Sequence, residues 1–273
     1  MTLETPSKLA QIVAATRRRM EQARAEADIR ELERRAAQHV PRGFRQGLEA
    51  KGRTGVAVIS ELKKASPSRG LIRADFDPVA LAEELELAGA AALSVLTDEE
   101  FFQGSLRNLE VASDRVKLPC LRKDFIVDEF QLLEARASCA DAVLLIVASL
   151  SDRELATLAR QAGKLGLDVL CEVHDELELR RALDAGCDLI GVNSRDLRTF
   201  KVDLATAFKL IEAMPETVLA VAESGIHNGT DIARLRVAGY GAFLVGESLM
   251  KEKSPGQALQ KLLAEAMIPA ASR

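Results

Sequence analysis

No apolar stretch in the 273 residues approaches the roughly 18 needed to cross a bilayer, so a membrane span is excluded. Met1 to Ala15 do not form a charged start followed by an apolar export signal, and a cytoplasmic protein is expected. Neither sign of charge dominates. Lys+Arg 37 against Asp+Glu 41 leaves a net −4, without the basic footprint that a nucleic-acid or anionic-membrane partner requires. The four cysteines, Cys120, Cys139, Cys171 and Cys187, lack any C-x-x-C spacing and sit in or beside apolar runs. They read as reduced core thiols rather than a disulfide or zinc framework. The three histidines, His39, His174 and His227, are too dispersed for ligand spacing, and no metal is expected. No G-x-x-x-x-G-K-[ST] occurs, and Gly239-Tyr240-Gly241 precedes an apolar run instead of following one, so neither nucleotide fingerprint holds. Aromatics are scarce, at 4% with no tryptophan, which makes Phe101, Phe102 and Phe125 conspicuous. Core packing is the default for phenylalanine, but at a cavity mouth these rings would enclose a flat apolar ligand.

What is present suffices for a large core: 48% of residues are hydrophobic and 29% charged. Ser7 to Gln38 contains no proline or glycine, and Leu9, Ile12, Val13 and Met20 recur at helical spacing, predicting one or two helices. From Arg17 to Arg35 seven arginines alternate with five acidic residues, the composition of a solvated face. His39 to Gly55, with Pro41 and four glycines, reads as a linker. Thereafter eight short apolar runs start near Val56, Ala92, Pro119, Ala142, Asp168, Asp188, Val218 and Gly241, each followed by a helix-like segment. The spacing suits βαβ units, whose parallel strands need helical crossovers. Ala88-Gly89-Ala90, Ser138-Cys139-Ala140, Ala185-Gly186-Cys187 and Ala238-Gly239-Tyr240 punctuate every second unit. Three of these offer glycine for a left-handed helix cap, whereas Cys139 marks a different one. The fold class is α/β, a (β/α)8 TIM barrel over 1–273 as a single domain with an N-terminal helical extension over 1–50. A doubly wound open sheet is the alternative. Closure is preferred because residues able to do chemistry end nearly every run, and only a ring brings them together.

Those ends carry Glu61 and Lys63, Ser94, Lys123, Ile146, Glu172, Asn193 and Arg195, Glu223 and Ser224, and Gly246. Strand side chains alternate with period two, so Glu61 and Lys63 share one face. By the same alternation Glu172 points inward between Cys171 and Val173, and Lys123 between Arg122 and Asp124. An isolated Glu-x-Lys is most often a plain ion pair; converging, two lysines and three carboxylates can serve as acid and base. Gly225 after the seventh run and Gly246 after the eighth allow backbone N–H groups to face an anion, the usual barrel phosphate position. Glu247 would repel phosphate unless its side chain turned away, and Lys63 would supply the missing positive charge.

Several motifs together resemble one family. These are Glu61-Leu-Lys63-Lys-Ala-Ser66-Pro67-Ser68-Arg-Gly70, Leu93-Ser94-Val-Leu-Thr97, Phe102-Gln-Gly104-Ser, Leu121-Arg-Lys123-Asp-Phe125-Ile, Gly191-Val-Asn193-Ser-Arg195-Asp-Leu197 and Ala222-Glu223-Ser224-Gly225-Ile. In order, they resemble indole-3-glycerol-phosphate synthase in its stand-alone form, from about Leu9 to Met250. The resemblance implies ring closure of 1-(2-carboxyphenylamino)-1-deoxyribulose 5-phosphate with loss of CO₂ and water, in tryptophan synthesis. It implies no cofactor and no metal, a phosphorylated small-molecule substrate, no nucleic-acid or membrane partner, and an extension packed on the barrel mouth. A monomer is expected. By the same resemblance Lys123 matches the acid of ring closure and Glu172 the base of dehydration. Lys63 matches a phosphate-holding lysine that also acts as acid, while Glu61 and Glu223, assisted by Asn193, stabilise developing charge and orient the lysines. Ser224, Gly225, Gly246 and Glu247 match the phosphate cradle, and Phe102 and Phe125 the walls of the anthranilate slot. Ser66, Ser94 and Arg195 match further pocket positions. A phosphosugar isomerase on the same barrel is a rival, but would not need Lys63 and Lys123 together with Glu172. A barrel acting only as a binding module is a second rival.

Overall fold

Eight parallel strands close on themselves in the computed structural model, which describes residues 7–196 and 201–267. They are β1 (Ala57–Leu62), β2 (Ala92–Leu96), β3 (Cys120–Lys123), β4 (Ala142–Ile146), β5 (Asp168–Val173), β6 (Leu189–Asn193), β7 (Leu219–Glu223) and β8 (Ala242–Val245). Each pairs with the next in sequence, and β8 returns to β1 in the register Ala57↔Ala242. That last pairing excludes the open sheet. A helix follows every strand, from Pro78–Leu87 after β1 to Pro255–Ala266 after β8.

The runs look continuously apolar because both faces of every strand are covered. Ala57, Ile59, Leu121, Leu144, Leu170, Leu189, Val221 and Leu244 fill the barrel interior. Their alternating neighbours, among them Val58, Val143, Cys171, Val192 and Phe243, pack against the helices. Continuing the inward row upward on each strand therefore delivers a polar side chain to the C-terminal end. At the other turn, Gly89, Gly186 and Gly239 cap their helices with positive φ, and Cys139 takes the same conformation at φ 63. The cap is thus the same one throughout. Cys139 adopts it without glycine, at roughly 1–2 kcal/mol.

The expected linker is instead a helix. The extension forms α1 (Lys8–Glu26), α2 (Ile29–Gln38) and α3 (Phe44–Thr54), and residues 1–6 of it lie outside the described residues. Glycine inside a helix costs about 1 kcal/mol relative to alanine. In α3 this is offset because Phe44 and Leu48 are wholly buried in the interior core beside Ala57, Ala92 and Ala242, each worth about 1.5–3 kcal/mol. The glycines also permit close approach: a Cβ on Gly47 or Gly52 would meet Pro119 or the Gly241 carbonyl at 3.3 Å. The extension therefore divides. α3 closes the barrel end opposite the mouth, α2 packs on the helix Glu129–Ala137, and α1 brings Lys8, Leu9 and Ile12 to the mouth cavity.

Several arginines of the apparently solvated face, with Arg42 beyond it, anchor this wrapping. Arg17 pairs with Glu154 at 2.9 Å, Arg19 with Asp98 at 3.2 Å, Arg24 with Asp128 at 3.5 Å and Arg42 with Asp141 at 2.6 Å. Asp141 is fully buried and also accepts from the backbone N–H groups of Arg42 and Cys120, both at 2.7 Å, with His39 Nε2 at 3.1 Å. Burial pushes this carboxyl up, but the hydrogen bonds from His39 and Arg42 outweigh it and hold the group below its ordinary range.

Candidate active site

At the C-terminal ends of the strands the inward row changes from aliphatic to ionised. Lys123 Nζ, from β3, donates to Glu172 Oε2 on β5 at 2.9 Å and to Glu223 Oε2 on β7 at 2.8 Å. Lys63 pairs with Glu61 on β1, and Asn193 Nδ2 on β6 donates to Glu172 Oε1 at 3.1 Å. These side chains face a cavity of about 600 Å³. The close approach depends on two glycines: a Cβ at Gly191 would collide with Glu223 Oε1, and one at Gly246 with Glu61.

Burial penalises every charge here, so partners decide each protonation state. Burial disfavours the Lys123 ammonium, but Glu172, Glu223 and Glu61 outweigh it and hold the lysine ionised well above its usual range. For Glu172 burial is likewise overcome, by Lys123 and His174, and the carboxyl stays ionised far below its ordinary value. Glu223 behaves differently: burial, with Glu172 adding to it, prevails over Lys123 and raises its pKa to about 7. The two carboxylates on one lysine therefore differ in charge near neutral pH.

A second group lies beside the turns after β7 and β8. Ser224 and Gly225 follow one another with positive φ, 62° and 77°. For Ser224, which is not glycine, such a conformation costs of order 1–3 kcal/mol. Both line the cavity, as do Gly246 and Glu247. The Glu247 carboxylate is 3.1 Å from Arg69, 3.4 Å from Arg195 and 2.5 Å from Lys251. Burial raises this carboxyl, but the three cations, Lys251 foremost, bring it below its ordinary range. The positive charge beside Glu247 thus comes from these residues, whereas Lys63 is engaged by Glu61.

Phe102 and Phe125 line the cavity with ring centroids 6.1 Å apart. Phe101 turns to Lys8, whose ammonium is 5.1 Å from its ring centre. Ser66 and Arg195 line the cavity too. Ser94, expected in the pocket, is not among the described residues that line it: it pairs with Glu61 in register and is completely buried, its hydroxyl without a hydrogen-bond partner. Sequence reasoning also missed Arg69, Lys251 and His174. Arg69 was visible in the turn after β1, Lys251 one helical turn beyond Glu247, and His174 two residues past Glu172 on the same face. The arrangement can grip a phosphate, shelter an aromatic ring, donate a proton and accept one.

Comparison with known proteins agrees with this inventory. The family model described as indole-3-glycerol phosphate synthase matches residues 9–262. An indole-3-glycerol phosphate synthase of Koribacter versatilis is 59% identical, over 94% of this chain and 99% of that protein. One from Acidithiobacillus ferrooxidans is 48% identical, over 93% and 97%. Among solved structures, 3-hexulose-6-phosphate synthase from Salmonella typhimurium superimposes with a TM-score of 0.63 at 12% identity, covering 77% of this chain and 98% of that one. Thiamine phosphate pyrophosphorylase from Pyrococcus furiosus gives 0.58 at 18% identity, covering 79% and 96%. At such identities these two speak for the barrel alone.

Proposed function

The chain belongs to the indole-3-glycerol phosphate synthase family, and from that premise we propose how its mouth closes the indole ring. The substrate is 1-(2-carboxyphenylamino)-1-deoxyribulose 5-phosphate; the products are indole-3-glycerol phosphate, CO₂ and water. The observation that carries the assignment of roles is the Lys123 ammonium held between Glu172 and Glu223.

The aromatic ring enters between Phe102 and Phe125, and the phosphate sits against the turns at Ser224-Gly225 and Gly246-Glu247. Lys63, Arg69 and Arg195 stand within reach on the cavity wall. As the ring carbon bearing the carboxylate attacks the ribulose carbonyl, negative charge grows on the carbonyl oxygen and Lys123 protonates it. Positive charge left on the ring nitrogen is met by Glu61, with Glu223 contributing where it is ionised, and loss of CO₂ restores the aromatic electrons. Glu172, kept ionised, then removes a proton as hydroxide departs with a proton from Lys63. Acid or base help of this kind is worth about 10²- to 10⁴-fold per group. The test is direct: purified protein mixed with the substrate yields an indole chromophore and one CO₂ per product, and Lys123→Ala yields neither. A folded protein that leaves the substrate untouched rejects the reading.

A further inference from the structure

Glu172 and Glu223 stand almost symmetrically about Lys123, at 2.9 and 2.8 Å, yet the second oxygens of the two carboxylates meet opposite surroundings. Glu223 Oε1 is buried without a hydrogen-bond partner. Glu172 Oε1 accepts from Asn193 and lies 3.3 Å from His174 Nε2, an ion-pair contact off the axis of a hydrogen bond. The other side of the imidazole is fixed: Nδ1 lies 3.0 Å from Glu178 Oε2, and the His174 backbone N–H donates to the same oxygen at 2.8 Å. Both ring nitrogens therefore face carboxylates, an environment that favours the doubly protonated imidazolium. His174 is not among the described residues lining the cavity; it stands behind Glu172.

We infer that His174 is a positioning residue which assigns the negative charge of the Lys123-bridged pair to Glu172 and leaves the shared proton to Glu223. This rests on the roles proposed above. Asn193 supports the same assignment more weakly, because a neutral donor favours a carboxylate less than a cation does. The charged groups facing Glu172 are Lys123 from β3, Glu223 from β7 and His174, while Glu61 from β1 acts on Lys123 and Glu223. Those facing His174 are Glu172 and Glu178. Burial alone would discharge the imidazole; the two carboxylates outweigh it and raise its pKa to about 10, so its charge persists through neutral pH. Without that charge only the neutral Asn193 donor distinguishes the two carboxylates; below about pH 7, where the pair holds a proton, Glu172 then carries a share of it and the ionised base is depleted. Above that pH both carboxylates are ionised and nothing remains to sort.

The test uses the full-length chain carrying His174→Asn or His174→Gln, with kcat and KM measured from roughly pH 5 to 9 and folding checked by circular dichroism. An opposite charge at this range shifts a carboxyl by about one to three units. At pH 6 kcat is therefore expected to fall, by up to about tenfold; it recovers to the wild-type value on the alkaline side, with KM unchanged throughout. A folded variant whose kcat profile parallels the wild type, at its level or below it by a constant factor, overturns the inference. So does a change confined to KM. If neither variant folds, Glu178→Gln decides, since it weakens the hold on the imidazolium proton: a smaller loss of kcat in the same direction supports the inference, and an unaltered profile overturns it. Glu172→Gln separates the premises. If that variant turns over normally, the base assignment itself is wrong; if it is inactive while the His174 profiles stay parallel, only the inference about His174 fails.

Discussion

Replacing Lys123 with methionine keeps most of the side chain's length and removes its charge and donors. What remains is a pair of carboxylates, 4% and 2% exposed, facing each other across the gap. Removing one partner from a buried ion pair costs about 3–5 kcal/mol, which for a chain of this size lowers Tm by roughly 6–20 °C. The penalty depends on pH. Glu223 already has a folded pKa of about 7, above its unfolded value, and losing the ammonium pushes it higher. A carboxyl raised in the folded state binds protons more tightly there, so its contribution is fully present below the ordinary glutamate range and is lost as pH rises through the folded value. The Tm deficit of Lys123→Met is thus smallest near pH 5 and largest above pH 7. Turnover, followed by indole absorbance, falls by at least about 10²- to 10⁴-fold at every pH. A variant within tenfold of wild type, or a Tm deficit of the same size at acid and alkaline pH, would mean that Lys123 is neither the acid nor the counter-charge of this pair.

Lys63 has two proposed duties that its replacements separate. Lys63→Met raises KM and lowers kcat, whereas Lys63→Arg, which keeps charge but cannot donate its proton, recovers much of KM and leaves kcat depressed; steady-state kinetics on both variants is the check. Asp141→Asn leaves Arg42 facing a neutral group at a fully buried position, with an expected loss of about 3–5 kcal/mol by urea unfolding. Deleting residues 1–26 takes away the α1 wall of the cavity but not α3, so KM rises more than circular dichroism changes. A truncated chain that cannot fold would make α1 part of the core.

The barrel was legible in the sequence because covering both faces of a strand leaves an unbroken apolar run, and eight runs with eight helices have few other solutions. The ring of site residues was legible for a related reason: period two carries Glu61, Lys123, Glu172, Asn193 and Glu223 inward once the strand ends are known. α3 was not. Its glycines signal a linker locally, and only the tertiary burial of Phe44 and Leu48 beneath the barrel reverses that. The docking of the arginines was equally hidden, since Arg42 and Asp141 are 99 positions apart. Ser94 illustrates the limit of face reasoning: it shares the inward face of Ala92, yet on that strand it is Leu96, two residues on, that lines the cavity. His174 was overlooked through a search for metal-ligand spacing, although the alternation that selects Glu172 also selects the residue two places on.

The proposed division of labour gives ring closure to Lys123 and the later proton removal to Glu172. Substrate labelled in its carboxylate and mixed with Glu172→Gln under single-turnover conditions tests this most directly. Labelled CO₂ is expected to appear while indole absorbance does not, because closure and decarboxylation precede the step that needs the base. If CO₂ and indole are instead lost together, or formed together, Glu172 does not act after closure and the division is wrong.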